Sequence, residues 1–299
     1  MSKATRGLLG DKQIARIGFG AMQLAGPGVF GPPRDPPAAR AVLRRAVELG
    51  VDHVDTAQYY GPDVVNELIR EALHPYPPGL KLVTKVGARR DGRGAWLAAA
   101  SPRELREGVE ANLRSLRIER LDLVNLRVMP DADDGGPALA DQLGELDALR
   151  REGKLDLVGI SSVTRELAER ALELSDIACV QNGYSLIERD SDPVLELCRE
   201  REIAFVPYFP LGSAFTGGPA RISADPLVRD VAAKHGATPA QVALAWLLAS
   251  YERILLIPGT TSVAHLEENV AAGELELDAE DMARLDAVAP RDGPAPGES

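Results

Sequence analysis

Eight times along the chain a short apolar run is followed by a longer segment of helical periodicity, and this alternation limits the fold more than any other feature. The runs fall at 14–22, 51–57, 80–87, 121–128, 155–162, 177–184, 203–210 and 254–260. Their apolar residues are consecutive rather than alternate, as in parallel strands covered by helices. The intervening segments carry one apolar face each, for example Ala39, Val42, Leu43, Ala46 and Val47, or Leu139, Leu143, Leu146 and Leu149. Leu105, Val109, Leu113 and Leu116 form a third such face. Ser101-Pro102-Arg103-Glu104 and Thr238-Pro239-Ala240-Gln241 each join a capping box to a proline at the first helical position, which places two helix starts. Residues 225–236 read as an extra helix after the seventh run. Eight units without an interdomain linker predict an α/β fold, a (β/α)8 TIM barrel in a single domain over residues 10–290, with 291–299 as a flexible tail.

Composition narrows the function classes. With 34 Lys and Arg against 45 Asp and Glu, the net charge of −11 repels phosphate backbones, so nucleic acid is not an expected partner. No stretch reaches the roughly 18 apolar residues that span a bilayer, and no membrane contact is expected. The opening residues lack the apolar run of a signal peptide, so the expected location is cytoplasmic. Cys179 and Cys198 lie in apolar runs and are expected to be reduced packing residues, and no spacing suits a metal. A dinucleotide-binding Rossmann unit is excluded, because Gly18-Phe19-Gly20-Ala21-Met22-Gln23 lacks the third glycine and its acidic partner.

In a barrel of this kind function sits at the C-terminal ends of the strands, and those positions are polar here. The second run ends in Asp55 and continues to Tyr59, Tyr60 and Gly61, the third ends at Lys85, the fourth carries Asn125 and Arg127, the fifth ends at Ser161 and Ser162, and the sixth at Gln181. Burying Asp55, Lys85 and Arg127 together costs stability unless they pair, so chemistry is the better reason for them. A lysine beside a tyrosine lowers the phenol pKa, and a carboxylate keeps the lysine charged. Asp55, Lys85 and Tyr60 therefore make a proton donor, with Tyr59 as the competing phenol. Arg127 either contacts the substrate oxygen or pairs with a barrel carboxylate. Phe30 and Trp96, in loops after the first and third runs, are expected to line the substrate pocket. The run Arg89 to Arg93 reads as a solvated loop, with contact to an anionic substrate as the alternative, and His53, His74 and His235 as structural residues.

The segments Gly18 to Gly20, Asp55-Thr56-Ala57 with Tyr60-Gly61, Val83-Thr84-Lys85, Leu121-Asp122-Leu123-Val124, Gly159-Ile160-Ser161, Pro210-Leu211-Gly212 and Ile257-Pro258-Gly259-Thr260 with His265-Leu266-Glu267-Glu268-Asn269 stand in order over about residues 14–288. Together they resemble the aldo-keto reductase superfamily. The resemblance implies a barrel that reduces carbonyls with NADPH through an Asp, Tyr, Lys and His tetrad. The first three carry over onto Asp55, Tyr60 and Lys85. The fourth falls on Arg127, as in a bacterial subgroup resembling pyridoxal reductases, and a pyridoxal aldehyde with a phenolate beside its carbonyl suits an arginine.

By the same resemblance Gly20 and Met22 border the cofactor, and Ser161, Ser162 and Gln181 bind the nicotinamide carboxamide, with Ser162 in place of the family's asparagine. Tyr208 stacks on the nicotinamide, and Leu211, Gly212 and Ser213 form the pyrophosphate loop. Gly259, Thr260, Thr261 and His265 form the 2′-phosphate site, where no lysine or arginine occurs, and Glu268 and Asn269 also bind the cofactor. NADPH is implied in preference to NADH. Two alternatives stay open: a cofactor-binding regulatory protein resembling channel β-subunits, and a keto-sugar or polyketide reductase of secondary metabolism.

Overall fold

The computed structural model describes residues 6–129, 137–213 and 217–288; the expected tail at 291–299 lies outside them. The first two strands, β1 (Arg6–Leu9) and β2 (Lys12–Ala15), form an antiparallel hairpin. They are followed by β3 (Phe19–Gly20), β4 (His53–Asp55), β5 (Lys81–Arg90), β6 (Trp96–Ala99), β7 (Leu121–Arg127), β8 (Leu155–Ser161), β9 (Ile177–Gln181) and β10 (Ala204–Phe205). Strands β3, β4, β5, β7, β8, β9 and β10 neighbour one another in that order, all parallel, while β6 folds back antiparallel on β5. The eighth run closes the ring through two bridges, Phe205 to Ile254 and Ile17 to Leu256. Leu256 N donates to Arg16 O at 2.7 Å, and Gly18 N to Leu256 O at 2.8 Å. The expected barrel is therefore present.

Its helices carry the faces read from the sequence. Helix α1 (Pro36–Glu48) buries Ala39, Val42, Leu43 and Ala46, and α3 (Pro102–Leu116) buries Leu105, Val109, Asn112 and Leu116. Between them α2 spans Val64–Leu73. Both expected capping boxes form, at Ser101 with Glu104 and at Thr238 with Gln241. One apolar cluster joins these helices to the outside of the barrel. A second fills the inside with Leu9, Ile14, Val83, Leu123, Cys179, Val206, Leu255 and Ile257. Leu9 and Ile14 come from the first hairpin, whose Lys12 pairs with Asp156 at 2.6 Å near the start of β8. The hairpin thus closes the end of the barrel opposite the strand C-termini.

Three expectations need correction. The run 14–22 is not one strand, because Ala15 belongs to the closing hairpin and Phe19–Gly20 to the barrel. Arg89 and Arg90 end strand β5, and only residues 91–95 form the turn, because β5 outruns the barrel and pairs with β6. Trp96 accordingly sits in a strand rather than a loop. The extra helix expected at 225–236 is present as Pro226–His235, capped by the Asp225 carboxylate, and a further helix that the sequence did not suggest, Gly218–Ala224, precedes it. Both cysteines are free and buried, and burial pushes the Cys198 thiol up to about 12, so neither is a nucleophile at neutral pH. Among the described residues no metal-binding cluster occurs, and no helix is long and apolar enough to cross a membrane.

Candidate active site

Register brings the polar strand ends to one level. Gly20 pairs with Asp55 across β3 and β4, Lys85 with Asn125 across β5 and β7, Arg127 with Ser161 across β7 and β8, and Ser161 with Gln181 across β8 and β9. Gly87 lets the mouth close here: its φ is +101°, and a Cβ would lie 2.3 Å from the carbonyl of Arg127.

The buried core of the site is an ion pair. Lys85 Nζ donates to Asp55 Oδ1 and, at 3.1 Å, to the carbonyl of Thr56. The other carboxylate oxygen accepts from Gln181 Nε2 at 2.9 Å. Each side chain of the pair is only 5% exposed, so the charges are stabilised by one another rather than by water. The Tyr60 ring lies over Lys85, with Nζ 5.1 Å from its centroid. The residue sits in the turn between β4 and α2, and its carbonyl accepts from Val65 N at 3.2 Å.

The electrostatics of that phenol reverse the expectation. Burial pushes the Tyr60 hydroxyl well above its ordinary pKa, the Asp55 carboxylate raises it further, and Arg127 is the cation that pulls against them. Tyr60 is thus a neutral phenol in the resting protein, which is the protonation state a general acid requires. Tyr59 is buried and likewise raised, chiefly by desolvation. It packs edge-on against both Tyr60 and Trp96, at centroid distances of 5.5 and 5.4 Å.

Arg127 meets no carboxylate among the described residues. Its guanidinium lies 5.0 Å from the Trp96 ring centroid, and its pKa is raised against desolvation by Tyr59, Tyr60 and Tyr208. The salt-bridge alternative for Arg127 therefore has no partner among the described residues. Arg90 covers Trp96 at 4.1 Å and Phe30 at 5.5 Å, and donates to the carbonyls of Gly28, Val29 and Gly94. Arg90, which the sequence left in solvent, thereby ties the loop carrying Phe30 to the β5–β6 hairpin beside Arg127.

The expected cofactor residues line one arc of the mouth. Ser162 has a left-handed φ of 62°, and its Oγ lies 3.5 Å from Ser161 Oγ and 3.4 Å from the Tyr208 hydroxyl. Gln181 Oε1 is buried and unpartnered. Leu211, Gly212 and Ser213 follow Tyr208, with Ser213 buried. Across the mouth Gly20 and Gly259 pack backbone to backbone, since a Cβ on Gly259 would meet Gly20 O at 2.5 Å. Met22 lies in the short 3-10 helix Ala21–Leu24. Thr260 Oγ1 accepts from Ser262 N at 3.0 Å, and Ser262 caps the helix Val263–Ala271 by accepting from His265 N. Thr261 and His265 are exposed, Glu268 is half-buried and Asn269 is buried.

A parallel barrel whose mouth holds a buried Asp–Lys pair, a neutral phenol and an arginine with no carboxylate partner among the described residues has the parts for proton-coupled carbonyl chemistry. The Aldo/keto reductase family model matches residues 16–290. A relative named pyridoxine 4-dehydrogenase, from Escherichia coli strain K12, is 50% identical over 283 residues, covering 94% of this chain and 96% of that protein. An uncharacterized oxidoreductase of Schizosaccharomyces pombe is 38% identical over 279 residues, covering 93% and 88%. A thermostable aldo-keto reductase solved with the inhibitor epalrestat superposes with a TM-score of 0.79 at 28% identity, covering 94% of this chain and 98% of that one. The chain belongs to the aldo/keto reductase family and is an oxidoreductase.

Proposed function

We propose that this protein reduces the aldehyde of pyridoxal, using NADPH, and that it does so in the cytoplasm. The observation that carries the substrate is Arg127: a guanidinium at the strand end, beside Tyr60 and Trp96, with no carboxylate to neutralise it among the described residues. An aldehyde flanked by a ring phenolate would supply the missing anion, and a simple aldehyde would not. The 50% identity to a pyridoxine 4-dehydrogenase supports the same substrate, run in the opposite direction.

The residues present fit a nicotinamide dinucleotide. The buried, unpartnered Gln181 Oε1 is an acceptor for a carboxamide N–H, with Ser161 and Ser162 beside it. The start of the helix Val263–Ala271, with Thr260, Thr261 and His265, offers N–H and hydroxyl donors to a phosphate. When bound, the reduced nicotinamide supplies the hydride. Tyr60, held neutral by burial, gives its proton to the carbonyl oxygen, so aldehyde, hydride and proton become the alcohol. The phenolate left on Tyr60 faces the Lys85 and Arg127 cations until solvent returns the proton. Asp55 anchors the Lys85 amine through Oδ1, and Gln181 holds the second oxygen of Asp55.

The test compares NADPH consumption with pyridoxal and with aromatic aldehydes lacking the ring hydroxyl. A higher kcat/KM for pyridoxal is expected. Turnover of the simple aldehydes with indifference to pyridoxal would remove the substrate assignment. Tight NADPH binding without turnover of any carbonyl would favour a regulatory role instead. Fractionation of cells for the protein checks the location.

A further inference from the structure

Behind the strand ends that carry Asp55 and Lys85, on the outside of the barrel, lies a closed set of side-chain hydrogen bonds. Thr56 Oγ1 donates to Asn66 Oδ1 at 2.8 Å. Asn66 Nδ2 donates to Asn112 Oδ1 and to Ser115 Oγ, both at 2.9 Å. Thr84 Oγ1 donates to the same Asn112 Oδ1 at 2.7 Å, and Asn112 Nδ2 donates to Gly108 O at 2.9 Å. Thr56, Asn66, Thr84 and Asn112 are all fully buried. Stability alone does not call for them, since an apolar contact between strands and helices would serve as well without the desolvation cost.

Their places in the chain show what they hold. Thr56 follows Asp55, and its own carbonyl is one of the two acceptors of the Lys85 ammonium. Thr84 precedes Lys85 on β5. Asn66 lies in the opening turns of α2, one residue after Val65, whose N–H donates to the carbonyl of Tyr60. Asn112, on α3, receives the bonds from both Thr84 and Asn66 and is the hub.

We propose that Thr56, Asn66, Thr84 and Asn112 are positioning residues that set the Lys85 ammonium against Asp55 and Tyr60 by fixing β4, β5 and α2 to α3. This rests on the reading of Asp55, Lys85 and Tyr60 as the reacting group. A shift of strand β4 moves the Thr56 carbonyl away from Lys85, and misplacement on the order of 1 Å can cost about a hundredfold in rate.

The test uses Thr56→Val and Thr84→Val, which keep the shape and remove the hydroxyl, with Thr56→Ser and Thr84→Ser as restoring variants. Two readouts are taken: kcat with pyridoxal at saturating NADPH, and the 15N-labelled ammonium resonance of Lys85, one of six lysines in the chain. The Val variants are expected to lose about tenfold in kcat and to displace the Lys85 resonance, with NADPH affinity unchanged and both restored by Ser. An unmoved resonance in whichever Val variant folds overturns the proposal, whatever the rate does. So does a Ser variant as displaced as its Val counterpart, which would assign the effect to packing. The resonance needs no substrate, so it judges the positioning apart from the function; wild-type turnover in Tyr60→Phe would instead strike the catalytic reading.

Discussion

Replacing Lys85 by Met should cost far more stability than removing both members of the ion pair. In the folded protein the Asp55 carboxylate has two partners, the Lys85 ammonium on Oδ1 and the Gln181 amide at 2.9 Å on Oδ2, and its side chain is 5% exposed. Lys85→Met leaves that charge in a nearly dry interior with one neutral donor. Breaking a buried pair in this way costs about 3–5 kcal/mol, whereas replacing both partners by neutral groups of similar volume is often nearly neutral. Asp55→Asn combined with Lys85→Met should therefore recover most of the loss, giving a coupling of about 2–4 kcal/mol in a double-mutant cycle. Urea unfolding of the four proteins measures it, and turnover of the same samples shows whether the double variant is folded and inactive. A Lys85→Met protein as stable as the wild type would refute the reasoning. So would a double variant destabilised by the sum of the two single changes, or one that stays active.

Ser162 occupies a left-handed backbone that costs an ordinary residue about 1–2 kcal/mol and asparagine less, so Ser162→Asn should stabilise the protein by about 0.5–1 kcal/mol and tighten NADPH. Thermal unfolding and cofactor titration check both, and lower stability would argue against the strain. His265→Arg should raise the ratio of NADPH to NADH affinity, because residues 259–269 contain no other cationic side chain; an unchanged ratio would place the 2′-phosphate elsewhere. Burial raises the Asp281 carboxyl, but Lys234 and His235 outweigh it and bring its pKa from 3.8 to about 2. A carboxylate with a depressed folded pKa contributes stability above its unfolded value and loses it as pH falls. The packing of the last helix, Ala279–Asp286, should therefore weaken between pH 3.8 and about 2, and Asp281→Asn should abolish that segment of the profile.

The barrel was legible because strands covered on both sides read as continuous apolar runs, and because two capping boxes with proline mark helix starts without tertiary help. The first hairpin does not stand out in the sequence although Gly10-Asp11 between Leu9 and Lys12 is a two-residue turn signal, since its strands are only four residues long and the second merges with the next apolar run. Trp96 reads as a loop residue from sequence because Gly92 and Gly94 conceal a turn between two paired strands. Asp55, Lys85 and Tyr60 could be named as a group because the strand pattern puts them on neighbouring ends, and the structure does bring them together. The direction of the Tyr60 pKa could not be read, because it depends on burial and on the balance of Asp55 against Arg127 across strands. Asn66 and Asn112 left no local signal at all: they lie 46 positions apart and meet only when α2 and α3 pack against β4 and β5.

Tyr60→Phe removes one oxygen and nothing else from the proposed reaction. Its rate of NADPH-dependent pyridoxal reduction should fall by about 10² to 10⁴, the usual contribution of a general acid, with thermal stability and NADPH affinity retained. A folded Tyr60→Phe protein that reduces pyridoxal at the wild-type rate would mean that the proton comes from another group.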